Sequence, residues 1–465
     1  MIDLSNIKQV YFLGIGGIGM SALARWFNHA GFGVSGYDST ETKLTQSLVK
    51  EGIAVHYDDA LEHVVDFDKA STLVVLTPAV PRQMQERVYF EDNHYRVMKR
   101  AQVLGAIANQ FKGVAVAGTH GKTSISTMTA HIFKQSSKAC TAFLGGISKN
   151  YASNLLLEDA PEFAVCEADE FDRSFLNLYP DYALISSVDA DHLDIYGTHE
   201  EMLRSFAAFA CQVKVGLVCK WGIAAQLQKA SGEMKLSAQQ YSYALDNNSA
   251  DFYAANIHLK DEAYFFDLVH PQGVIDGLQL NYPGLLNVEN IVGASALALL
   301  AGLSEEAIRR GVSSYQGVQR RFDVRYKDEH LLLIDDYAHH PTELSATISS
   351  VRAMFPSRKI TGVFQPHLFS RTQDFAEGFA QELSRVDELL LMDIYPAREL
   401  PIDGVTSQMI LDMAPLSDKR LLSRAALEQE LMARTEGLIL MMGAGDISLS
   451  IDSLSDFYAE RSEHV

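Results

Sequence analysis

The 465-residue chain is 47% hydrophobic and 21% charged, and carries a formal net charge of -20 at pH 7. That composition is ordinary for a globular protein and excludes a disordered or coiled-coil chain, while the length calls for about three domains of roughly 150 residues each. So acidic a surface also excludes a binder of long nucleic acids, although a small phosphorylated ligand needs only a few local cations and backbone N–H groups.

The chain opens with MIDLSNIKQVYFLGIGG, where an acidic residue, the lack of a basic run and an early glycine cluster do not read as a signal peptide. QVYFLG, a helix from about Gly17 to Ala30, GVSGYD, a helix near 42 to 50, IAVHY and TLVVLTPAV then follow in βαβ rhythm, which predicts a parallel sheet. FLGIGGIG satisfies G-x-G-x-x-G through Gly14, Gly16 and Gly19, and Asp38 ends the next strand, where a dinucleotide site would bond a ribose. Glycines at a helix start seat any diphosphate, however. An NAD-dependent oxidoreductase and a nucleotide-sugar protein both stay open at this point.

A second block starts near residue 107 with VAVAGTHGKTSIS, residues 114–126. A P-loop reads G-x-x-x-x-G-K-[ST], but Val116 occupies its first position and the glycine is Gly118. Strand, glycine turn and helix start still suit a triphosphate. Gly118, Thr119, His120, Gly121 and Ser124 would wrap it, Lys122 would meet the β- and γ-phosphates, and the Thr123 hydroxyl would bind Mg²⁺. Oxygen ligands for that ion are offered by Glu167, Asp169 and Glu170 in FAVCEADEFDRSF, and by Asp189, Asp191, His192 and Asp194 in SSVDADHLDIYG. Zinc is disfavoured there because no cysteine and histidine ligands are grouped. Short polar strands between about 214 and 282 read as an antiparallel edge or insertion. IVGASALALLAGL, residues 291–303, is too short to span a bilayer and reads as a buried helix.

From about 319 the alternation resumes with HLLLIDD, a helix after Pro341, KITGVF, a helix from about Arg371, VDELLLMDI and GLILMMGAGD. The predicted fold class is α/β in three domains: Rossmann-like over 1–106, a central P-loop ATPase with a mostly parallel sheet over 107–318, and Rossmann-like over 319–465. Functional loops belong at the carboxyl ends of the strands. Four cysteines without a C-x-x-C pair read as buried reduced thiols of a cytoplasmic protein with no membrane span.

GTHGKTS, EADEFDRSF, DADHLDIYG, PGLLNVENIVGA, GVQRRFD, IDDYAHHPTE, FQPHLFSRT, YPARELPIDGV and MGAGDI stand in this order along essentially the whole chain. Together they resemble the Mur ligase family of ATP-dependent amide-forming enzymes. That family writes its loop G-T-[NH]-G-K-[TS], without a glycine at the position of Val116. Within the family, GIGGIGMSALA, the histidine of GTHGKT, DDYAHHP and FQPHLFSRT are similar to the branch that joins L-alanine to UDP-N-acetylmuramate. A sister branch that reattaches recycled tripeptide shares the first two of these.

The resemblance implies ATP and Mg²⁺ as cofactors and a monomer or weak homodimer. It implies that Lys122 binds the transferring phosphoryl, that Thr123 and Glu167 hold Mg²⁺, and that His192 helps hold a second ion. Asn287 and Asn290 would read adenine, with Leu286 standing where the family has histidine. Arg321 would approach the ATP phosphates and Asp336 the ribose; Tyr337, His367 and Arg371 would hold the incoming alanine. The first loop becomes the seat of the UDP diphosphate, through Gly16, Gly17, Ile18 and Gly19 with Asp38 and Thr77 nearby. Lys122, His192 and Arg321 are the implied catalytic groups. His339 and His340 are read as structural, one serving as the cap of the helix that starts at Pro341.

Overall fold

A computed structural model of the chain describes residues 6–463 except 192, 233 and 398. Its first sheet is built from β1 (Gln9–Leu13), α1 (Ile18–His29), β2 (Gly33–Tyr37), α2 (Lys43–Lys50), β3 (Ala54–His56), β4 (Thr72–Leu76), α3 (Gln85–Asp92) and β5 (Arg96–Lys99). The strand order is β3-β2-β1-β4-β5, all parallel. After Gln9, β1 is apolar and buried because it is covered on both faces. Val10 and Phe12 pack with Leu23 and Phe27 of α1, whereas Tyr11 and Leu13 pack with Val74 and Phe90.

After α4 (Arg100–Ala108) the second sheet begins with β6 (Lys112–Ala117), α5 (Lys122–Lys134), β7 (Cys140–Ser148), β8 (Ser153–Leu156), β9 (Phe163–Glu167) and β10 (Tyr182–Ile185). It continues through α6 (Leu193–Tyr196), α7 (His199–Cys211), β11 (Gly216–Lys220), α8 (Ile223–Ser231), β12 (Gln239–Ala244), β13 (Phe252–Lys260), β14 (Ala263–His270) and β15 (Gly273–Leu280), followed by α9 (Leu285–Leu300) and α10 (Glu305–Ser314). The order is β15-β14-β13-β12-β11-β10-β6-β9-β7-β8. The chain leaves β6 toward β7 and β9 on one side and then crosses to β10 and β11 on the other. This makes the carboxyl end of β6 a topological switch point, the usual place for a ligand crevice. The polar region expected as an antiparallel edge is mixed: β11, β12 and β13 pair in parallel, whereas β13, β14 and β15 follow one another at the margin of the sheet through two-residue turns, which join only antiparallel neighbours. Exposure at the sheet margin explains the polarity of these strands.

The third sheet comprises β16 (Asp323–Lys327), β17 (Leu331–Asp336), α11 (Pro341–Met354), β18 (Ile360–Phe364), α12 (Phe369–Leu383), β19 (Glu388–Leu391), α13 (Ser407–Met413), β20 (Lys419–Leu421), α14 (Arg424–Met432), β21 (Gly437–Met442) and α15 (Ile447–Glu463). Only β16 runs antiparallel in the order β16-β17-β21-β18-β19-β20. Period-two alternation sends Leu332, Ile334 and Leu440 to one core and Leu331, Leu333 and Ile439 to the other.

Two compact units result. One holds the first two sheets, in Met1–Ile257, Phe265–Leu280 and Glu289–Gln316, and the other holds His258–Tyr264, Asn281–Val288 and Gly317–Val465. Inside the first unit α1 packs on β7 and β8, where the buried Asn154 donates to Ser21 Oγ at 2.9 Å. The cysteines are all free; three are buried and Cys211 is half-buried. Among the described residues no helix is long and apolar enough to cross a membrane.

Candidate active site

Val116 is fully buried in β6, paired with Leu184 of β10 and Glu167 of β9. The chain can therefore turn only after Ala117. Gly118 makes that turn at φ +136°, and a Cβ there would lie 2.2 Å from Ser186 Oγ, so glycine is required by conformation and by space. The loop is braced from the end of β10: His120 N–H donates to Ser187 Oγ at 2.7 Å, and Thr119 Oγ1 lies 2.9 Å from the same hydroxyl. Gly121, at φ +81°, is the N-cap of α5 and leaves that helix start without a side-chain cap. Its backbone N–H groups face outward as an anion seat. Thr123 and Ser124 are buried in the first turn, and Asn290 Oδ1 would stand 3.3 Å from a Cβ at Gly121.

Lys122 Nζ donates to Gly118 O at 2.7 Å and to Glu170 Oε1 at 2.8 Å. Burial opposes its charge, but the carboxylates of Glu170, Asp169 and Glu167 outweigh that and raise its pKa. It stays an ammonium. Burial raises the pKa of Glu170, which is wholly enclosed. Glu167, at the carboxyl end of β9, rests on Gly145, where a Cβ would meet its Oε2 at 2.0 Å. His120 Nε2 lies 3.6 Å from Asp189 Oδ2. His192 lies outside the described residues.

The first glycine loop turns at Gly14, φ +86°, where a Cβ would meet Thr77 Cγ2 at 2.7 Å. Gly17 caps α1 in extended conformation, again with no side-chain cap and no acid in the first turn. Asp38 Oδ2 accepts the Gly16 N–H at 2.8 Å, and its Oδ1 accepts from Thr40 N at 3.2 Å. Arg100, unnoticed in the sequence, approaches from α4; its Nη1 would stand 2.8 Å from a Cβ at Gly19, and its Nη2 donates to Asp169 Oδ2 at 3.0 Å. A cavity of about 260 Å³ joins the regions, lined by Gly17, Gly19, Thr77 and Arg100 at one side and by Gly145, Glu167 and Asp169 at the other.

In the second unit Arg320 is tied into the fold, donating to Gly443 O at 2.6 Å and lying 3.6 Å from Asp335. Arg321 lies over the Tyr337 ring at 5.0 Å and 3.9 Å from Glu343. Both oxygens of buried Asp336 accept backbone N–H groups, from Phe322 at 2.7 Å and Ala338 at 2.8 Å, which locks the two loops together. His367 stacks on Tyr395 at 5.8 Å, and half-buried Arg371 lies in the first turn of α12. His340 Nδ1 accepts from Thr342 N at 3.3 Å and caps α11. Burial, reinforced by Arg371 and Arg321, pushes His339 down to about 4 despite Glu343, so its ring stays neutral beside those cations. Asn287 donates to Pro283 O at 2.5 Å, and Leu286 is exposed.

A triphosphate-type loop whose lysine sits among acids, together with a cavity that joins the acidic strand end to a second glycine loop, defines a nucleotide-dependent enzyme, and comparison with known proteins gives its class. Family models match residues 9–112 (Mur ligase family, catalytic domain), 116–298 (Mur ligase middle domain) and 320–445 (Mur ligase, glutamate ligase domain). The chain belongs to the Mur ligase family. It is 47% identical over 451 residues to a UDP-N-acetylmuramate--L-alanine ligase of Phocaeicola vulgatus, covering 96% of this chain and 97% of that one. To the enzyme of that description from Porphyromonas gingivalis strain W83 it is 48% identical over 446 residues, covering 95% and 97%. The crystal structure of a UDP-N-acetylmuramate-alanine ligase from Thermotoga maritima superposes with a TM-score of 0.83 at 26% identity, over 97% of this chain and 99% of that one. A murein peptide ligase from Psychrobacter arcticus shares the fold at 20% identity and a TM-score of 0.71, over 97% and 98% of the two chains.

Proposed function

We propose that the chain is an ATP-dependent ligase that joins L-alanine to the carboxylate of UDP-N-acetylmuramate through an acyl phosphate, in peptidoglycan synthesis. The observation that carries this reading is the cavity shared by the first glycine loop and the Glu167–Asp169 strand end. A sugar nucleotide held by its diphosphate at Gly16, Gly17, Ile18 and Gly19 would extend its carboxylate toward the phosphoryl donor. Residues 1–106 are assigned to the sugar nucleotide, 107–318 to ATP and 319–465 to the amino acid. The protein is placed in the cytoplasm as a monomer or weak homodimer.

A carboxylate is a poor electrophile. Transfer of the γ-phosphoryl to one of its oxygens releases ADP and leaves phosphate as a leaving group; the amine nitrogen then attacks the carbonyl carbon, the bond to phosphate breaks, and the nitrogen gives up a proton. Lys122, kept charged by its acidic neighbours, neutralises charge on the transferring group. The Thr123 hydroxyl and the Glu167 carboxylate are the hard oxygen donors that Mg²⁺ prefers, and Gly145 leaves room for Glu167 to hold its position. When bound, Mg²⁺ would supply positive charge to offset that of the phosphates. His192 is assigned to a second Mg²⁺, Asn287 and Asn290 to adenine, Arg321 to the phosphates and Asp336 to the ribose side. Tyr337, His367 and Arg371 are assigned to alanine, whose carboxylate matches the arginine fork.

Purified protein should release ADP in repeated turnovers, beyond one equivalent per enzyme, only when UDP-N-acetylmuramate, L-alanine and Mg²⁺ are present together. Absence of that three-way dependence removes the ligase reading. A parallel panel of amino acids and recycled tripeptide assigns the branch, and preferred turnover of tripeptide would move the chain to the sister activity.

A further inference from the structure

Away from the shared cavity, the segment after β3 gathers a second set of polar side chains that the proposed reaction does not use. Asp59 pins this segment by capping α3, accepting from Gln85 N at 2.8 Å and Glu86 N at 3.1 Å. A short 3-10 turn, Leu61–His63, ends it. Between these fixed points His56, Asp58 and His63 converge, with one ligand atom of each within 4.8 Å of the other two.

His63 Nε2 lies 3.1 Å from both Asp58 carboxylate oxygens, and His56 Nδ1 lies 3.7 Å from Asp58 Oδ1. Ligands about 2.0–2.1 Å from a tetrahedral ion stand roughly 3.3 Å apart, so these separations are already near those of a coordination shell. The two imidazole rings lie face to face with centroids 3.7 Å apart. For both imidazoles to reach one ion in their ring planes the stack must open, and the His63 side chain, 29% exposed, stands at the surface where it can turn. The Asp58 carbonyl oxygen, 3.0 Å from His56 Nδ1, offers a further oxygen on the same side.

Behind His56 stands the outer support that metal-binding histidines use. His56 Nε2 lies 2.7 Å from Tyr11 OH, and Tyr11 donates to Glu86 Oε2 at 2.5 Å. Glu86 is fully buried, and its Oε1 lies 3.5 Å from His56 Nε2. Tyr11 donates to the Glu86 carboxylate, so Nε2 can donate to Tyr11 while Nδ1 faces Asp58 and His63; taking an ion at Nδ1 would replace its present 3.0 Å contact with the Asp58 carbonyl. A loop held only by the Asp58–His63 ion pair would need neither the second imidazole nor a buried carboxylate behind it.

We propose that His56, Asp58 and His63 form a binding site for a transition-metal ion of the Zn²⁺ class, separate from the Mg²⁺ assigned to the ATP loop. Two imidazoles and one carboxylate favour Zn²⁺ or Co²⁺ over Mg²⁺, which requires oxygen ligands. The site rests on H-x-D-x₄-H in AVHYDDALEH, and does not depend on the ligase reading.

The test uses full-length protein stripped with chelator and titrated with CoCl₂ in excess MgCl₂, read by visible absorption. One equivalent of Co²⁺ should give the intense bands of a low-coordinate nitrogen and oxygen site, and Zn²⁺ should bleach them. His63→Ala and the isosteric Asp58→Asn should each abolish the bands while keeping the metal-free melting temperature. Glu86→Gln should weaken Co²⁺ binding roughly 10- to 100-fold, and Glu167→Gln should leave the spectrum unchanged. Weak octahedral bands that Mg²⁺ removes, or bands that survive in both His63→Ala and Asp58→Asn, would overturn the proposal.

Discussion

The two glycine loops of the first unit start helices of nearly equal length, 12 residues in α1 and 13 in α5, and neither start has a side-chain cap. Both therefore offer backbone N–H groups and the positive end of a helix dipole to an anion. Their surroundings differ. In the first loop Gly17 is extended at φ -64°, and an acid, Asp38, takes the Gly16 N–H. In the second, Gly118 and Gly121 are both at positive φ, hydroxyls brace the backbone, and a buried ammonium sits among three carboxylates. Glycines and a helix start suffice to hold a phosphate. Moving one requires a cation inside the loop and acids that position a metal.

The sharpest break of this comparison is Lys122→Ala. On the proposed reading it removes charge stabilisation of the transferring group, and turnover should fall about 10²- to 10³-fold or more. Binding of UDP-N-acetylmuramate by calorimetry should stay within about twofold of wild type, a difference of about 0.4 kcal/mol. Loss of both would mean that the two loops do not divide the work.

Next comes a matched pair of glycine substitutions. Gly118→Ala places a Cβ 2.2 Å from Ser186 Oγ at φ +136°, whereas at Gly17 the nearest atom is 3.6 Å away and no positive φ is involved. The first should cost about 1–3 kcal/mol of local strain and weaken ATP binding by tenfold or more. Gly17→Ala should leave the melting temperature nearly unchanged. Equal tolerance at both positions would show that the second loop is as permissive as the first.

The same contrast explains what the sequence discloses. The second loop is legible because its chemistry lies in consecutive residues, and because Val116 belongs to a strand buried between two neighbours. The alternation of apolar strands and helices likewise discloses three mostly parallel sheets, since strands covered on both faces must be apolar. Spacing placed Asp38 at the end of β2 but could not orient it, and the orientation makes it a brace for Gly16. Arg100 left no signal. In VMKRAQ it looks like one of two solvated basic residues, and only the packing of α4 carries it to Gly19 and Asp169. Glu170 was one of seven candidate metal ligands until the fold enclosed it against Lys122.

Arg100 sharpens the comparison because it is the cation that the first loop lacks in its own sequence. Arg100→Ala should raise KM for UDP-N-acetylmuramate roughly 10-fold, the range of one charge-assisted contact of about 1.5 kcal/mol, with ATP affinity little changed. Arg100→Lys should recover part of the loss, because it restores the charge without the planar fork. An unchanged KM for the sugar nucleotide together with a raised KM for ATP would assign Arg100 to the other loop.

The smallest expected effect concerns how each loop's helix is anchored. α5 is fixed at its far end by His131, whose Nδ1 lies 2.7 Å from Tyr151 OH and Nε2 2.9 Å from Ser314 Oγ. Burial pushes this imidazole down from 6.5 to about 4. Between those values the unfolded chain binds the proton and the folded chain does not, so stability rises with pH across the window. It is fully present above about 6.5 and is lost as pH falls toward 4, with a limiting slope of about 1.4 kcal/mol per pH unit. Among the described residues α1 has no buried imidazole at its anchor, and its own His29 is exposed in the last turn. Asn154 and Ser21 do not titrate, and although burial works against the Glu51 carboxylate, Arg25 and Ser47 hold it below its ordinary value, so its pair with Arg25 persists through the same range. Hydrogen exchange, corrected for intrinsic rates, should therefore show protection in α5 falling between pH 6.5 and 4 while that of α1 holds. His131→Gln should flatten the difference, and a parallel loss in both helices would show that acid acts on the first unit as a whole.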